Sequence, residues 1–182
     1  MKTLIVYTSQ TGFTRKYSRG VYEGLNKKLN SELSELLTIK EAKRKKTSYF
    51  ERFDAIIYGG WSMAGKVVKS KWFLKKAPKW NSKKLVMFCV GASPTDNPDL
   101  EGYLNNVLSV EEKKYIKLFY CPGGLNYNKM KFRHKILMKM FTAMLKKDKD
   151  ASKREMGEII SHSYDISDKK YIEPIIEYIV SN

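Results

Sequence analysis

The feature that most constrains this chain is a series of short apolar runs, each followed by a polar or glycine-bearing turn. Thr3–Tyr7, Phe53–Tyr58, Leu85–Val90 and Ile116–Tyr120 are too short for buried helices and almost continuously apolar. Such runs fit strands that are covered on both faces, which is the condition of a parallel sheet. Leu33–Ile39 is a weaker run, expected nearer an edge. Between them lie segments with helical spacing: Thr14 to Asn30 with Val21, Leu25 and Leu29, then Lys69–Lys76 stopped by Pro78, then Leu100–Leu108. Ile172–Val180 closes the series with an isoleucine stripe. Lys40–Thr47 reads as a charged connection. Strands alternating with helices predict an α/β fold with an open, doubly wound sheet of five strands. In such a sheet ligands sit outside the carboxyl ends of the strands, where the strand order reverses.

A chain of 182 residues suits one domain over 1–182, and 42% hydrophobic residues suit a globular core. Leu4–Tyr7 is too short for a leader, and no apolar stretch approaches the roughly 18 residues of a spanning helix. The expected location is cytoplasmic. Cys89 and Cys121 each end an apolar run and read as small buried hydrophobes rather than a redox or metal pair. No metal-ligand spacing is present, and no set of residues suggests its own catalytic machinery. Charge is the unusual property: 35 Lys and Arg against 19 Asp and Glu give +16. That excess attracts anionic partners or forms a solvated lysine surface.

The first strand is followed by Ser9–Gln10–Thr11–Gly12–Phe13–Thr14 and then by a helix. Free N–H groups at a helix start attract phosphate, hydroxyls add donors, and Gly12 permits close approach. No lysine follows the glycine as a triphosphate-binding loop requires. A plain strand–turn–helix connection with a threonine cap is the alternative. The pattern Ser/Thr-x-Thr-Gly-x-Thr after the first strand resembles the FMN phosphate loop of the flavodoxin family. Gly59–Gly60–Trp61–Ser62 takes the place of that family's second flavin loop, and Gly91–Ala92–Ser93–Pro94 that of its third. The resemblance implies strand order 2-1-3-4-5, FMN as cofactor bound on the loop Ser9, Gln10, Thr11, Gly12, Phe13 and Thr14, its phosphate held by Ser9, Thr11, Gly12 and Thr14, and the ring bordered by the other two loops. One departure is that Gly91–Asp99 holds no aromatic residue, where typical flavodoxins place a tyrosine against the ring. An open ring face suits an enzyme that admits a substrate.

After the fifth strand comes an insert at about 123–150. On a helical wheel Lys131, Lys135, Lys139 and Lys146 fall on one arc, while Met130, Phe132, Ile136, Leu137, Met138, Met140, Phe141, Met144 and Leu145 cover most of the rest. So wide an apolar surface calls for a substrate pocket, a partner chain or an anionic membrane surface as cover. Gly123–Gly124–Leu125–Asn126–Tyr127, the methionine- and lysine-rich helix, and the mixed-charge tail behind it resemble the flavodoxin-type, quinone-dependent protoporphyrinogen oxidases. That resemblance implies an FMN-dependent oxidase that takes an anionic apolar substrate, passes electrons to a quinone and sits peripherally at the inner membrane surface. Two other readings are an electron-transfer protein for an acidic partner and a flavin-free basic binding module. Typical flavodoxins are acidic, which weighs against the simple shuttle. Lys40–Lys46 is a basic run without interleaved aromatics, so nucleic-acid binding is the least favoured reading. Of the two histidines, His134 in the insert could move a proton near a substrate, although a lone histidine on a mixed helix is more often structural. His162 lies in a polar stretch and reads as a surface residue.

Overall fold

The computed structural model describes residues 1–29 and 33–181. Its sheet consists of β1 (Thr3–Tyr7), β2 (Ser34–Thr38), β3 (Ala55–Met63), β5 (Lys84–Gly91) and β6 (Ile116–Pro122), with the short β4 (Lys66–Val67) folded back on β3. The order is β2-β1-β3-β5-β6, all parallel apart from β4. Without the short β4 in the count, this is the expected order 2-1-3-4-5. Alternate side chains of β1 divide between the two faces: Leu4 and Val6 join one buried cluster and Ile5 joins the other. Residues that are apolar on both faces need cover on both, which explains the near-continuous runs.

One face is covered by α1 (Phe13–Lys28) and by α9 (Glu173–Val180), which bury Tyr17, Val21 and Leu25 against Ile175, Ile176 and Ile179. The other is covered by shorter pieces, α2 (Ile39–Ala42), α3 (Thr47–Glu51), α4 (Lys71–Lys76) and α5 (Asp99–Asn105), while α6 (Val110–Lys113) precedes β6 and buries no residue. An aromatic layer stands in for long helices there, with Phe50 and Trp80 ring centroids 5.2 Å apart and Tyr58 stacked 5.6 Å from Phe73. Aromatic rings bury large areas from few residues, so short segments suffice.

Several expected boundaries move. Asn30, the expected end of the first helix, lies outside the described residues. The third strand does not stop at Gly59–Gly60 but runs on to Met63. Gly59 is in the strand because Phe88 packs on it: a Cβ there would meet Phe88 Cζ at 2.2 Å. Lys69 has φ 60, in the left-handed region, so the helix expected from Lys69 begins at Lys71. Pro78 does not end helical winding, since a 3-10 turn carries Ala77–Trp80 onward with proline in its first positions. The helix expected over 100–108 ends at Asn105, and Lys169–Ile172 is a 3-10 turn ahead of Pro174.

The largest departure follows β6. β7 (Gly124–Leu125) pairs antiparallel with β8 (Tyr164–Asp165), and between them α7 (Phe132–Lys146) and α8 (Ala151–Ile159) form a hairpin. This arm reaches residue 165, beyond the expected 123–150. The expected mixed-charge tail contains α8, which Asp150 caps by accepting from Ser152 N–H at 2.9 Å. Gly124 is required at the root, with φ 130 and a hypothetical Cβ only 2.1 Å from Tyr164 O. Tyr127 adds a bond from its hydroxyl to Ile160 O at 2.6 Å.

Candidate functional site

The register of the sheet gathers the loops at one edge. Tyr7 faces Gly59, Trp61 faces Val90, and Gly91 faces Pro122, so the turns after β1, β3, β5 and β6 meet at the carboxyl ends. Several concave spaces open there, and two of them take in both Gln10 and Thr11. The first, called the ring pocket below, is lined by Gln10, Thr11, Phe13 and Thr14 from the first loop, Trp61, Ser62 and Met63 from the end of β3, and Val90, Gly91 and Ala92 from β5 and the turn after it. Its outer wall comes from the arm: Met130, His134, Leu137 and Met138. The second space, about 450 Å³, lies on the other flank of the first loop and is lined by Thr8, Ser9 and Gly12 together with Thr38 and Ile39. Gln10 and Thr11 line both, so the loop is the divide between them.

The first loop has unmet hydrogen-bonding needs. Helix α1 starts at Gly12, φ 110, with no side-chain cap and no acidic residue in its first turn. Ser9 Oγ is buried, and among the described residues it has no hydrogen-bond partner. Buried hydroxyls are normally satisfied, and the first N–H groups of a helix look for an acceptor. An anion with several acceptor oxygens at this point would meet both needs, so the residues fit a phosphate group. The helix itself is firmly seated: Thr14 O accepts from Ser18 Oγ at 2.8 Å, and Tyr17 donates its hydroxyl to Pro122 O. Burial pushes the Tyr17 phenol well above its ordinary range.

Of the residues singled out from sequence, Gln10, Thr11, Phe13, Thr14, Trp61, Ser62, Gly91 and Ala92 come together around the ring pocket, while Ser9 and Gly12 face the second space. Trp61 is half-buried and belongs to neither core cluster. Gly59 and Gly60 lie inside β3 and line neither space. Ser93 lines a neighbouring recess with Asn97 and Tyr103, and Pro94 is exposed outside it.

The absence of an aromatic residue in the third loop has a structural counterpart. Tyr120 donates to Ser93 O at 2.7 Å and Tyr164 to Ala92 O at 2.8 Å, so tyrosines from β6 and the arm hold the loop by its backbone. Sequence reasoning missed both, since they lie far from the loop in sequence. It did not find the contact between His134 Nδ1 and Gln10 Oε1 either, by which the arm is fastened to the first loop. His162 is exposed, beside Glu158 O. Cys89 and Cys121 are fully buried; burial pushes the Cys89 thiol up to about 12 and raises Cys121 as well, so neither is a thiolate near neutral pH.

Helix α7 is only partly seated. Thr142 and Leu145 are buried, but Phe132 is 76%, Met140 66% and Met144 61% exposed. Among the described residues no helix is long and apolar enough to cross a membrane, and no three His, Cys, Asp or Glu residues could hold a metal ion.

The family model described as a flavodoxin domain matches residues 4–152. No curated protein matches the sequence. Among solved structures the chain is similar to two-electron reduced flavodoxin from Megasphaera elsdenii, with 17% identity over 87% of this chain and 98% of that one, TM-score 0.48. It is similar to a flavodoxin from the domain Archaea, with 14% identity over 89% of this chain and 100% of that one, TM-score 0.40. It is also similar to rubredoxin oxygen:oxidoreductase from Desulfovibrio gigas, with 12% identity over 100% of this chain and 37% of that one, TM-score 0.46. The match over residues 4–152 covers most of the chain and ends as α8 begins. On that match, the chain belongs to the flavodoxin domain family, whose members bind FMN and serve in electron transfer.

Proposed function

We propose that FMN binds with its phosphate on Ser9–Thr14 and its ring in the pocket between Trp61–Ser62 and Gly91–Ala92. In this reading Gly59, Gly60, Ser93 and Pro94 act behind these residues, as parts of the strand and turn that shape the loops. The observation that carries it is the buried, partnerless Ser9 hydroxyl beside a helix start without a side-chain cap. FMN, when bound, supplies the electron chemistry, and the protein supplies position and surroundings.

The finer reading is an oxidoreductase acting on a protoporphyrinogen-like substrate with a quinone as acceptor. Its support is the outer wall of the ring pocket, where Met130, Leu137 and Met138 offer adaptable apolar surface. Lys131, Lys135 and Lys139 on the same segment suit a substrate with carboxylates. Hydrogen atoms leave such a substrate in pairs, and a quinone accepts a pair as it becomes a quinol. His134 is the one ionisable side chain lining the pocket among the described residues, so it is the group placed to move a proton there. Its bond to Gln10 fixes the ring beside the loop.

The same arm is the surface for an anionic membrane. Phe132, Met140 and Met144 face outward, and Lys131, Lys135 and Lys139 lie along the flank, the pattern of a helix that rests in a lipid interface, whereas Lys146 is paired with Glu158 at 2.7 Å. Two measurements test this part together: anaerobic turnover of protoporphyrinogen with a water-soluble quinone, and co-sedimentation with anionic against neutral vesicles. Turnover, with binding to anionic vesicles that Met140→Ser/Met144→Ser abolishes, is expected. A protein that exchanges electrons through FMN but neither turns over the substrate nor sediments with vesicles would instead be an electron-transfer domain for an acidic protein partner.

A further inference from the structure

The second space beside the first loop has a charge that one FMN phosphate does not account for. Arg15 from α1, Lys40 from α2, Lys69 from the turn before α4 and Lys129 from the arm all line it, and among the described residues no carboxylate does. These four come from parts of the chain far apart in sequence, and the fold brings them to one cavity of about 450 Å³. Among the described residues none of the four forms an ion pair, whereas neighbouring Lys16 is matched by Asp165 at 3.7 Å and Arg19 by Glu23 at 3.2 Å. A phosphate monoester carries about two negative charges at neutral pH, and the helix start and loop hydroxyls already offset part of that.

Geometry agrees with charge. Gln10 and Thr11 line both the ring pocket and this cavity, so a flavin with its ring in the pocket reaches the divide with its phosphate end. The cavity continues past that point toward Thr38 and Lys40 at the carboxyl end of β2. Ser9, with its unsatisfied hydroxyl, lines this space and not the ring pocket. The arm contributes to both spaces, with Lys129 at the phosphate side and Met130 at the ring side.

We propose that the cavity bounded by Arg15, Lys40, Lys69 and Lys129 is a subsite for a second phosphoryl group, beyond the phosphate of FMN. The inference rests on the FMN reading of the first loop. The group has two possible bearers: the flavin itself, as the adenine dinucleotide, or a separate phosphate ligand beside bound FMN.

The test is a set of calorimetric titrations of the full chain at low salt. Riboflavin, FMN and FAD are titrated into the free protein, and ADP and inorganic pyrophosphate into the FMN-loaded protein. The same series is run on Lys40→Ala/Lys69→Ala/Lys129→Ala and on a control with equal loss of charge, Lys28→Ala/Lys75→Ala/Lys79→Ala, all six lysines being exposed. FAD binding at least as tight as FMN, lowered about tenfold or more by the cavity substitutions alone, places the second group on the flavin. Weaker FAD binding, with ADP or pyrophosphate taken up by FMN-loaded protein and lost in the cavity variant, places it on a separate ligand. FMN binding with no uptake of FAD, ADP or pyrophosphate overturns the subsite and leaves the FMN reading standing. Equal losses in the two lysine variants overturn it as well, since general charge would then explain the binding. Failure of every flavin to bind overturns the FMN reading, and the subsite with it.

Discussion

The sheet with its covering helices and the arm after β6 treat their apolar residues in opposite ways. In the sheet region Ile5, Ile57, Phe73 and Phe88 are completely buried, each strand closed by helices or aromatic rings. In the arm, Phe132, Leu137, Met140 and Met144 are each more than half exposed, although the arm is joined to the body by Tyr164, which donates to Ala92 O, and by His134, which bonds Gln10. The difference teaches that the two regions are held by different things. Burial within the chain stabilises the sheet, while the arm is fixed at its root and keeps its outer apolar face exposed. That face is the one the proposed membrane contact would cover.

The sharpest way to break this comparison is to cut side chains in both regions. Phe73→Ala removes a fully buried ring, and urea unfolding should show a loss of about 3–5 kcal/mol. Met140→Ser in the arm should change the same measurement by less than about 0.5 kcal/mol. Comparable losses at both positions would mean that the arm's outer face is part of the core after all.

The root of the arm comes next. Gly124→Ala forces a side chain into φ 130 and against Tyr164 O, so it should cost about 1–3 kcal/mol. Hydrogen exchange should show the loss as faster exchange at Leu125, Tyr164 and Ile166, with β1 and β5 unchanged. Uniformly faster exchange would show that the arm and the sheet open as one unit.

Alkaline pH probes the sheet region specifically. The Cys89 thiol keeps its proton in the fold up to about 12, whereas an exposed thiol loses it near its ordinary value of 9.0. The unfolded chain thus holds fewer protons than the folded one between those values. Stability is fully present below pH 9 and falls as pH rises toward 12, by up to about 1.4 kcal/mol per pH unit for this group. Cys89→Ala should flatten part of that decline in denaturation curves, and a thiol reagent at neutral pH should leave both cysteines unmodified until the protein unfolds.

The smallest effect is expected at the latch. His134→Ala removes the bond to Gln10 and should cost less than about 1 kcal/mol of stability, since it leaves a half-buried partner that water can reach. It should nonetheless speed exchange along α7, which would separate an anchored arm from one merely resting on the loop.

Much of this organisation was legible in the residues. The apolar runs announced five strands, and their sheet order came with the family resemblance carried by the loop Ser9–Thr14. The two regions differ here too. Strand pattern is local, since a run such as Leu85–Val90 declares its own burial, but the end of β3 was misjudged because the meaning of Gly59 depends on Phe88, a neighbour in space only. The arm was legible as a helix with too much apolar surface, and not as a hairpin, because β7 and β8 are two residues each and carry no periodicity. The four cations of the second cavity escaped notice for a similar reason. Arg15, Lys40, Lys69 and Lys129 look like scattered surface charge until the fold brings them together.

The central claim is that the first loop holds FMN through the unsatisfied Ser9 hydroxyl and the uncapped start of α1. It is tested most directly by titrating FMN into the purified protein and into Ser9→Ala, following the quenching of flavin fluorescence. The account predicts equimolar binding by the unaltered protein and affinity lower by about tenfold in the variant, the equivalent of one lost hydrogen bond to a charged group. Ser9→Ala should unfold at the same or a slightly higher denaturant concentration without flavin, because it removes a buried hydroxyl that has no partner. Absence of FMN binding, or equal affinity in the two proteins, would contradict it.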